Sequence, residues 1–312
     1  MTAIHVRTAT LDDTQPISAL FRARVTAWQR MDAQGRVEDV PHEALSIYER
    51  WLHGGPWLSI ETAALYLSHL LRGAGIPLVA LVDGVVRGYA EAFHGAEPPP
   101  FGDHMHIGTL LSDRADLDDA LLTALLEQAR SSRCERLTAD VIANDSDATA
   151  RYARHGMAAL ARVRRCSIPA RSGQGFYKTA DHPSANPSQI MGWHMPLGRL
   201  GSARQQWETL WPRTFHAIAP IRERRAHRLH LSASGQEALL YCQEALYVPR
   251  MAEISLWSPR RLTAQVFTAL RDWAHRENYR TLSLTISDEM ASVLGSEAEF
   301  DGYYQDVYAV QV

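Results

Sequence analysis

The segment ALLTALLEQARSSRCERLTADV at residues 120–141 repeats without a gap as QVFTALRDWAHRENYRTLSLTI at residues 265–286. The offset is 145 residues (265 − 120), and the neighbouring segments match in kind. DGVVRGYAEA at 83–92 pairs with SGQEALLYCQEA at 234–245, and HMHIGTLLS at 104–112 pairs with RMAEISLWS at 250–258. Repetition over this length implies two similar structural halves, so each candidate site has to be assessed in both.

Composition and charge place the chain in the ordinary globular class. The length of 312 residues suggests about two domains, and 46% of the residues are hydrophobic. The net charge of −3 gives no bulk attraction to nucleic acid or to an anionic membrane, so neither is predicted as a partner. The N-terminus has no apolar leader, and no stretch reaches about 18 uncharged apolar residues, so a membrane-spanning or secreted protein is not expected. Three cysteines with scattered spacing indicate a reduced, cytoplasmic location.

The periodicity predicts the same order of elements in each half: a strand, a helical region, a hairpin, then strand, helix, strand, short helix and strand. A capped helix is expected from Thr10 to about residue 31. Asp83-Gly84 is a strong hairpin signal. Residues 171–189 are rich in Gly, Pro, Ser and Asn, which is typical of a linker. The predicted domains are therefore 1–170 and 190–312, joined by 171–189.

Three features of the first half resemble the GCN5-related N-acetyltransferase (GNAT) family. These are the opening VRTATLDDTQPISALF, the Asp-Gly hairpin that leads to a strand and a helix, and ATARYARHGMAAL at 148–160. The last is similar to the family's A-x-x-x-Y-x-x-x-G-F segment, with Tyr152 at the tyrosine position. The resemblance covers about 4–169 and, more weakly, 190–312. It implies an α/β fold of the α+β type, with two acyl-CoA N-acyltransferase-like domains. Each would have a mixed, mostly antiparallel sheet flanked by helices.

The resemblance also implies acetyl-CoA as cosubstrate and a pyrophosphate-binding loop, R/Q-x-x-G-x-G/A, at the start of the central helix. In the first half this loop falls on residues 113–118, where Asp116 and Asp118 stand in place of both glycines. Acidic residues favour a helix N-terminus but oppose a bound pyrophosphate. The resemblance implies that the pantetheine would pair with the strand backbone at Leu110 and Leu111. The phosphates would contact the loop at Arg114, Ala115 and Leu117.

The corresponding loop of the second half is SPRRLT at 258–263. It also lacks glycine, but Arg260 and Arg261 would stand at a helix N-terminus, where guanidinium groups can hold a phosphate. The same two arginines are equally compatible with a solvated surface. The sequence therefore gives the second half a tolerable phosphate loop, whereas the first half has an acidic one.

Family chemistry is direct transfer, in which an amine attacks the thioester, a base takes the amine proton and a tyrosine protonates the thiolate. The resemblance assigns Tyr152 as the acid, and Glu91 or His106 is predicted as the base. At the same offset the second half has Glu297 in place of the tyrosine, and Glu244 is the counterpart of Glu91. The predicted function is therefore N-acetyl transfer to a small amine, carried by the first half.

Other interpretations remain open on the sequence. An inactive protein used for ligand sensing or protein interaction is the main alternative, and an acyl donor without a pyrophosphate is a third. His104, His106, Asp103 and nearby His94 could form a metal site, but spaced histidine pairs on strands are common without metal. No metal is predicted, because no fourth ligand is convincing. The alternating YYQDVYAVQV at 303–312 predicts a last strand that pairs within the chain or with a partner, so a homodimer is conceivable.

Overall fold

The computed structural model describes residues 3–32, 34–173 and 175–312. The chain forms two compact units, each assembled from three segments. Unit one comprises Met1–Phe93, Ile107–Gln128 and Arg213–Glu223, and unit two comprises His94–His106, Ala129–Pro212 and Arg224–Val312. The predicted domains, 1–170 and 190–312, were defined by the sequence repeat and do not coincide with these units. That division stays a prediction.

The secondary structure of the described residues follows the repeat. The strands are β1 (Ile4–Thr8), β2 (Gln29–Met31), β3 (Val37–Asp39), β4 (Ile76–Val82), β5 (Val85–Glu97), β6 (Gly102–Ser112), β7 (Arg136–Ile142), β8 (Ala158–Pro169), β9 (Tyr177–Asp181), β10 (His194–Leu197), β11 (Ala226–Ala233), β12 (Gln236–Glu244), β13 (Met251–Ser258), β14 (Thr281–Ser287) and β15 (Glu299–Gln311). The helices are α1 (Thr14–Arg22), α2 (Ile47–Leu52), α3 (Ile60–His69), α4 (Ala115–Ser131), α5 (Ser146–Arg154), α6 (Ala203–Leu210), α7 (Ala219–Glu223), α8 (Ala264–Arg276) and α9 (Asp288–Leu294). No helix in these ranges has the length and apolar character that a membrane crossing needs.

Two tight turns mark the same point of the two repeats. Asp83 (φ 52°) and Gly84 (φ 78°) join β4 to β5, and Ser234 (φ 51°) and Gly235 (φ 74°) join β11 to β12. Positive φ at both central residues is the geometry of a type I′ turn, whose twist matches that of the flanking strands. The Asp-Gly hairpin prediction is thus confirmed, and its counterpart uses Ser-Gly.

In unit one, β1, β4 and the Val85–Ala92 part of β5 form antiparallel neighbours. Helices α1 and α3 cover this sheet through a core that includes Ile17, Leu67, Trp57 and Tyr89. The helix expected from Thr10 to about 31 ends earlier, because α1 stops at Arg22 and Gln29–Met31 form β2. That prediction was wrong beyond Arg22.

In unit two the strand order is β7-β15-β8-β14-β13-β12-β11-β9, and β10 pairs with β13. Every neighbouring pair in this order is antiparallel except β13 and β14, which are parallel. The last strand, β15, lies between β7 and β8 and pairs with both. The C-terminal strand therefore completes the sheet of its own chain. β9 lies inside the segment 171–189 and pairs with β11.

The core of unit two lies on the helix side of β11–β14. Leu240, Leu256, Leu270 and Leu282 are all fully buried there, and α8 supplies the covering face. A second cluster stacks Trp207 on Trp211 at 4.2 Å, with Trp257 edge-on to both. These tryptophans pack the interior of unit two.

Candidate active sites

The central gap of the second repeat contains a strand of the protein itself. The parallel pairing of β13 with β14 covers only Met251–Glu253 and Thr281–Ser283. Beyond it, β10 pairs with the free side of β13, with His194 opposite Ser258 and Leu197 opposite Leu256. The family resemblance would place a pantetheine chain between these two strands. Residues 194–198 instead occupy this position, and β10 pairs with the backbone of β13 that such a chain would pair with.

Gly198 closes this gap on the side of β14. Its N–H donates to the carbonyl oxygen of Thr285 at 2.8 Å, and its φ is +82°. A Cβ at this position would lie 2.2 Å from the carbonyl oxygen of Ile254. Only glycine fits, because the backbones of two neighbouring segments approach at this point.

The loop 258–263 of the second repeat is held by side-chain hydrogen bonds and an ion pair. The Ser258 hydroxyl donates to the Glu237 carbonyl oxygen at 3.2 Å and accepts the Arg260 N–H at 3.4 Å. Arg261 forms an exposed ion pair with Glu289 at 2.5 Å. Of the two arginines predicted to contact a cofactor, Arg260 is exposed and Arg261 faces a carboxylate.

A cavity of about 390 Å³ lies beside β10 in unit two. Its wall is largely apolar, and the apolar residues that line it include Phe101, Val163, Met195, Leu262 and Met290. Arg199 and Arg261 also line it. The volume is within the range of small-molecule pockets, although the gap that would admit pantetheine is filled.

A buried ion-pair network supports one side of this cavity. The Glu97 carboxylate pairs with Arg199 and accepts the Ala203 N–H at 3.0 Å, and the His104 Nε2 atom lies 3.6 Å from it. Burial opposes ionisation, but Arg199, His104 and the Ala203 N–H hold the pKa of Glu97 below its usual value. Sequence reasoning missed Glu97 and Arg199, because 102 residues separate the partners and neither lies in a motif.

In the first repeat, the acidic loop 113–118 is occupied by its own hydrogen bonds. Arg114 forms an ion pair with Asp116, and the Ser112 hydroxyl donates to Asp118 Oδ1 at 2.7 Å. The Leu117 N–H donates to the Arg114 carbonyl oxygen at 3.2 Å, and the Leu117 side chain is fully buried. The only cation inside the loop therefore faces a carboxylate that a bound pyrophosphate would have to displace.

The other implied cofactor residues of unit one differ in exposure. Leu110 and Leu111 are half-buried near the end of β6, and Ala115 is exposed at the start of α4. Arg87 pairs with Asp113 at 3.0 Å, just outside the implied contacts. The contacts of these residues with a cofactor therefore stay predictions.

Glu91 lies on β5 inside an aromatic cluster of unit one. Its carboxylate accepts hydrogen bonds from the hydroxyls of Tyr89 (2.8 Å), Tyr66 (3.2 Å) and Thr109 (3.2 Å). The Trp57 ring lies edge-on to that of Tyr89, with the two ring centroids 4.8 Å apart. Burial raises the pKa of Glu91 even against these three donors. A carboxylate with a raised pKa is suited to general-base chemistry near neutral pH, but this one is enclosed.

His106 lies on β6 in unit two and has both ring nitrogens engaged. Nε2 is 3.2 Å from Asp140 Oδ2, and Nδ1 is 3.0 Å from the Thr138 hydroxyl. A carboxylate can only accept, so a ring proton on Nε2 would point to Asp140, while Nδ1 faces the Thr138 hydroxyl. The side chain is also buried, so His106 has the geometry of a histidine held between two strands.

Tyr152 lies in the last turn of α5 in unit two. Asp145 caps this helix, since its side chain accepts the Ala148 N–H at 2.9 Å. The helix ends at Arg154, and Gly156 follows with φ +75°. Tyr152 is buried at 6% exposure. At the equivalent position of the second repeat, Glu297 pairs with Arg171 and Arg271, each at 2.6 Å.

The four residues of the possible metal site, His94 on β5 and Asp103, His104 and His106 on β6, separate into two groups. His104 and His106 share one face of β6 and contact Glu97 and Asp140, respectively. Asp103 lies on the opposite face, where its Oδ1 is 2.7 Å from His94 Nε2. The four residues that the sequence suggested as metal ligands therefore do not form one cluster.

The structure is similar to solved N-acetyltransferase structures. A GCN5-related N-acetyltransferase from Anabaena variabilis has a TM-score of 0.63 at 10% identity, covering 98% of this chain and 72% of that one. A GCN5-related N-acetyltransferase from Kribbella flavida has a TM-score of 0.56 at 12% identity, covering 99% and 71%. A protein from Pyrococcus horikoshii assigned as an acetyltransferase has a TM-score of 0.53 at 12% identity, covering 100% and 90%.

At these identities the likeness shows the fold. The chain thus has the fold of GCN5-related N-acetyltransferases, with a large, mostly antiparallel sheet flanked by helices, as the resemblance implied. No protein-family model matches the sequence, and no curated protein matches it.

Proposed function

We propose that the protein is an acetyl-CoA-dependent N-acetyltransferase that acts on a small amine, with its acetyl-CoA site in the first repeat. The single observation that carries the choice of repeat is the occupied gap of the second one. There β10 pairs with β13, and Gly198 bonds to Thr285 of β14. Pantetheine binding between β13 and β14 would require this segment to leave, with loss of its hydrogen bonds and of the fully buried Leu197.

In this proposal the amine nitrogen attacks the thioester carbonyl carbon, the C–S bond breaks and the thiolate takes a proton. Tyr152 is the proposed donor, because its phenol O–H can supply the proton that the departing thiolate takes up. Glu91 is the proposed acceptor of the amine proton, since burial raises its pKa. His106 remains the second choice because both of its nitrogens already have partners.

The acidic loop is compatible with the proposal on energetic grounds. The Arg114–Asp116 pair is about half exposed on both side chains. Water screens exposed ion pairs, so they contribute little to stability and a phosphate can compete for the Arg114 guanidinium at low cost. The like charge of Asp116 should nevertheless weaken acetyl-CoA binding relative to a glycine-containing loop.

The test is calorimetric titration of acetyl-CoA into the full-length protein, its Tyr152→Phe variant and its Arg260→Ala/Arg261→Ala variant. Binding that persists in both variants, with turnover of an accepted amine reduced about a hundredfold or more in Tyr152→Phe, supports the proposal. Binding that is lost only in the double arginine variant places the cofactor in the second repeat. Unchanged turnover in Tyr152→Phe removes the assigned acid.

A catalytically inactive protein that senses a ligand or a partner is the second candidate. The observation in its favour is the loop 113–118, where Arg114, Asp116 and Asp118 bond to one another or to Ser112. On this alternative, millimolar acetyl-CoA gives no heat of binding and no thermal stabilisation. The same titration therefore separates the two functions.

A further inference from the structure

Three potential metal ligands of unit two come together, and none of them is a predicted catalytic residue. They are His94 near the end of β5, Asp103 on β6 and Cys134 just after α4. One ligand atom from each, a ring nitrogen, a carboxylate oxygen and a thiol sulfur, lies within 4.8 Å of the other two. Asp103 and His94 are common to this cluster and to the set suggested by the sequence, whereas Cys134 is new to it.

Backbone contacts fix the positions of these residues. Arg133 has a φ of +60°, and the Cys134 N–H donates to the Ala129 carbonyl oxygen at 3.0 Å, which is the Schellman ending of a helix. The next N–H, that of Glu135, donates to the Asp103 carbonyl oxygen at 2.8 Å. Cys134 is thereby held beside β6, so the cluster does not depend on mobile side chains alone.

The side chains already contact one another. His94 Nε2 is 2.7 Å from Asp103 Oδ1. Burial, followed by the charge of Asp103 and a hydrogen bond to it, raises the pKa of the Cys134 thiol to about 11. The arrangement brings three different donor types to one point.

The donor set selects the class of metal. Tetrahedral Zn²⁺ has bonds of about 2.0–2.3 Å to nitrogen, oxygen and sulfur, so its ligand atoms lie roughly 3.3–3.8 Å apart. The ligand atoms lie at most 4.8 Å apart, so the longest separation would have to shorten by roughly 1.0–1.5 Å to reach that geometry. A thiolate together with an imidazole favours Zn²⁺ or Co²⁺, whereas Mg²⁺ and Ca²⁺ prefer oxygen ligands.

We propose that His94, Asp103 and Cys134 bind one Zn²⁺-class divalent ion, with the remaining coordination position open to an exogenous ligand. His94 and Asp103 are each about half exposed at 47% and 44%, so the ion has a route from solvent. His94 also lines a small cavity of about 110 Å³ in unit two, together with Pro187 and Arg204. Three protein ligands and an accessible fourth position are typical of zinc sites that bind a water or a substrate.

The experiment is titration of Co²⁺ into the reduced, full-length, tag-free protein, followed by absorption spectroscopy. A thiolate-to-cobalt charge-transfer band that saturates at one equivalent and disappears when Zn²⁺ is added is the expected result. The band should be absent in Cys134→Ser. It should persist in Cys166→Ser, a matched control in which another buried thiol has its pKa raised to about 11.

Cys134 is buried, so its variant could lose the band by failing to fold. His94→Ala changes a half-exposed side chain and provides the second test. It should keep the circular dichroism spectrum of the parent and weaken the Co²⁺ affinity at least about tenfold. A parent protein without the band, a band that survives in Cys134→Ser, or an unchanged affinity in His94→Ala would each overturn the proposal.

Discussion

The N–H of Gly198 donates a 2.8 Å hydrogen bond to the carbonyl oxygen of Thr285. This bond joins the end of β10 to β14 at a point where β14 has already ended its pairing with β13. Because β10 pairs with β13 on its other side, the gap between two splayed strands is closed by backbone. The second repeat therefore has the fold of an acyltransferase half while its central gap is filled by the chain itself.

Replacement of Gly198 by alanine should be costly. Its φ of +82° disfavours any side chain, and the new Cβ would lie 2.2 Å from the Ile254 carbonyl oxygen. We expect a loss of about 2–4 kcal/mol in the free energy of unfolding, measured by urea denaturation. Gly192→Ala is the matched control, since Gly192 has φ +73° with nothing within 4 Å, and it should cost only about 1 kcal/mol. Equal costs would show that the gap is not tightly filled.

Neutralising Asp116 should strengthen acetyl-CoA binding if the first repeat holds the cofactor. Asp116→Asn keeps the side-chain shape, removes one like charge from the loop and frees Arg114. We expect the dissociation constant to fall about three- to tenfold in calorimetry at low salt. Asp147→Asn makes the same charge change in the first turn of α5 and should have no effect. An unchanged affinity in Asp116→Asn would separate the loop from phosphate binding.

Breaking the buried ion pair of unit two should destabilise the fold strongly. Glu97→Gln leaves the buried Arg199 guanidinium without its counter-charge. We expect a loss of about 3–5 kcal/mol, measured by chemical denaturation. Glu289→Gln removes the partner of Arg261 from an exposed pair and should change stability by less than about 1 kcal/mol. Similar losses in the two variants would contradict this account.

The same network should make the protein acid-sensitive. Burial lowers the pKa of His104 below its usual value, outweighing the nearby Glu97 carboxylate. The folded state therefore favours the neutral ring, and this contribution is complete above about pH 6.5 and is lost as the pH falls below it. The lowered pKa of Glu97 acts in the same direction, with a loss at still lower pH.

Urea denaturation at a series of pH values tests this expectation. The free energy of unfolding should decline from pH 7.5 to 5, and His104→Gln should reduce the first part of that decline. A His104→Gln variant with the pH dependence of the parent would show that other groups cause the decline.

Local sequence signals predicted much of the fold. The 145-residue offset relates β7 (Arg136–Ile142) to β14 (Thr281–Ser287), as 136 + 145 = 281, and the hairpin turns occur at the expected positions. These features depend on side-chain periodicity and on dipeptides that tolerate positive φ, which a sequence displays directly. The helix expected to reach residue 31 failed, because nothing local marks its end at Arg22.

The acidic character of the first phosphate loop and the arginines of the second were determined by the sequence alone. Only the tertiary structure decided what those residues contact, and it paired Arg114 with Asp116 and Arg261 with Glu289. Likewise, only the tertiary structure decided that β15 lies between β7 and β8 and that β10 pairs with β13. Both arrangements join segments that are distant in the sequence. The physical reason is that strand partners and register depend on non-local packing, while strand formation itself is written in a few neighbouring residues.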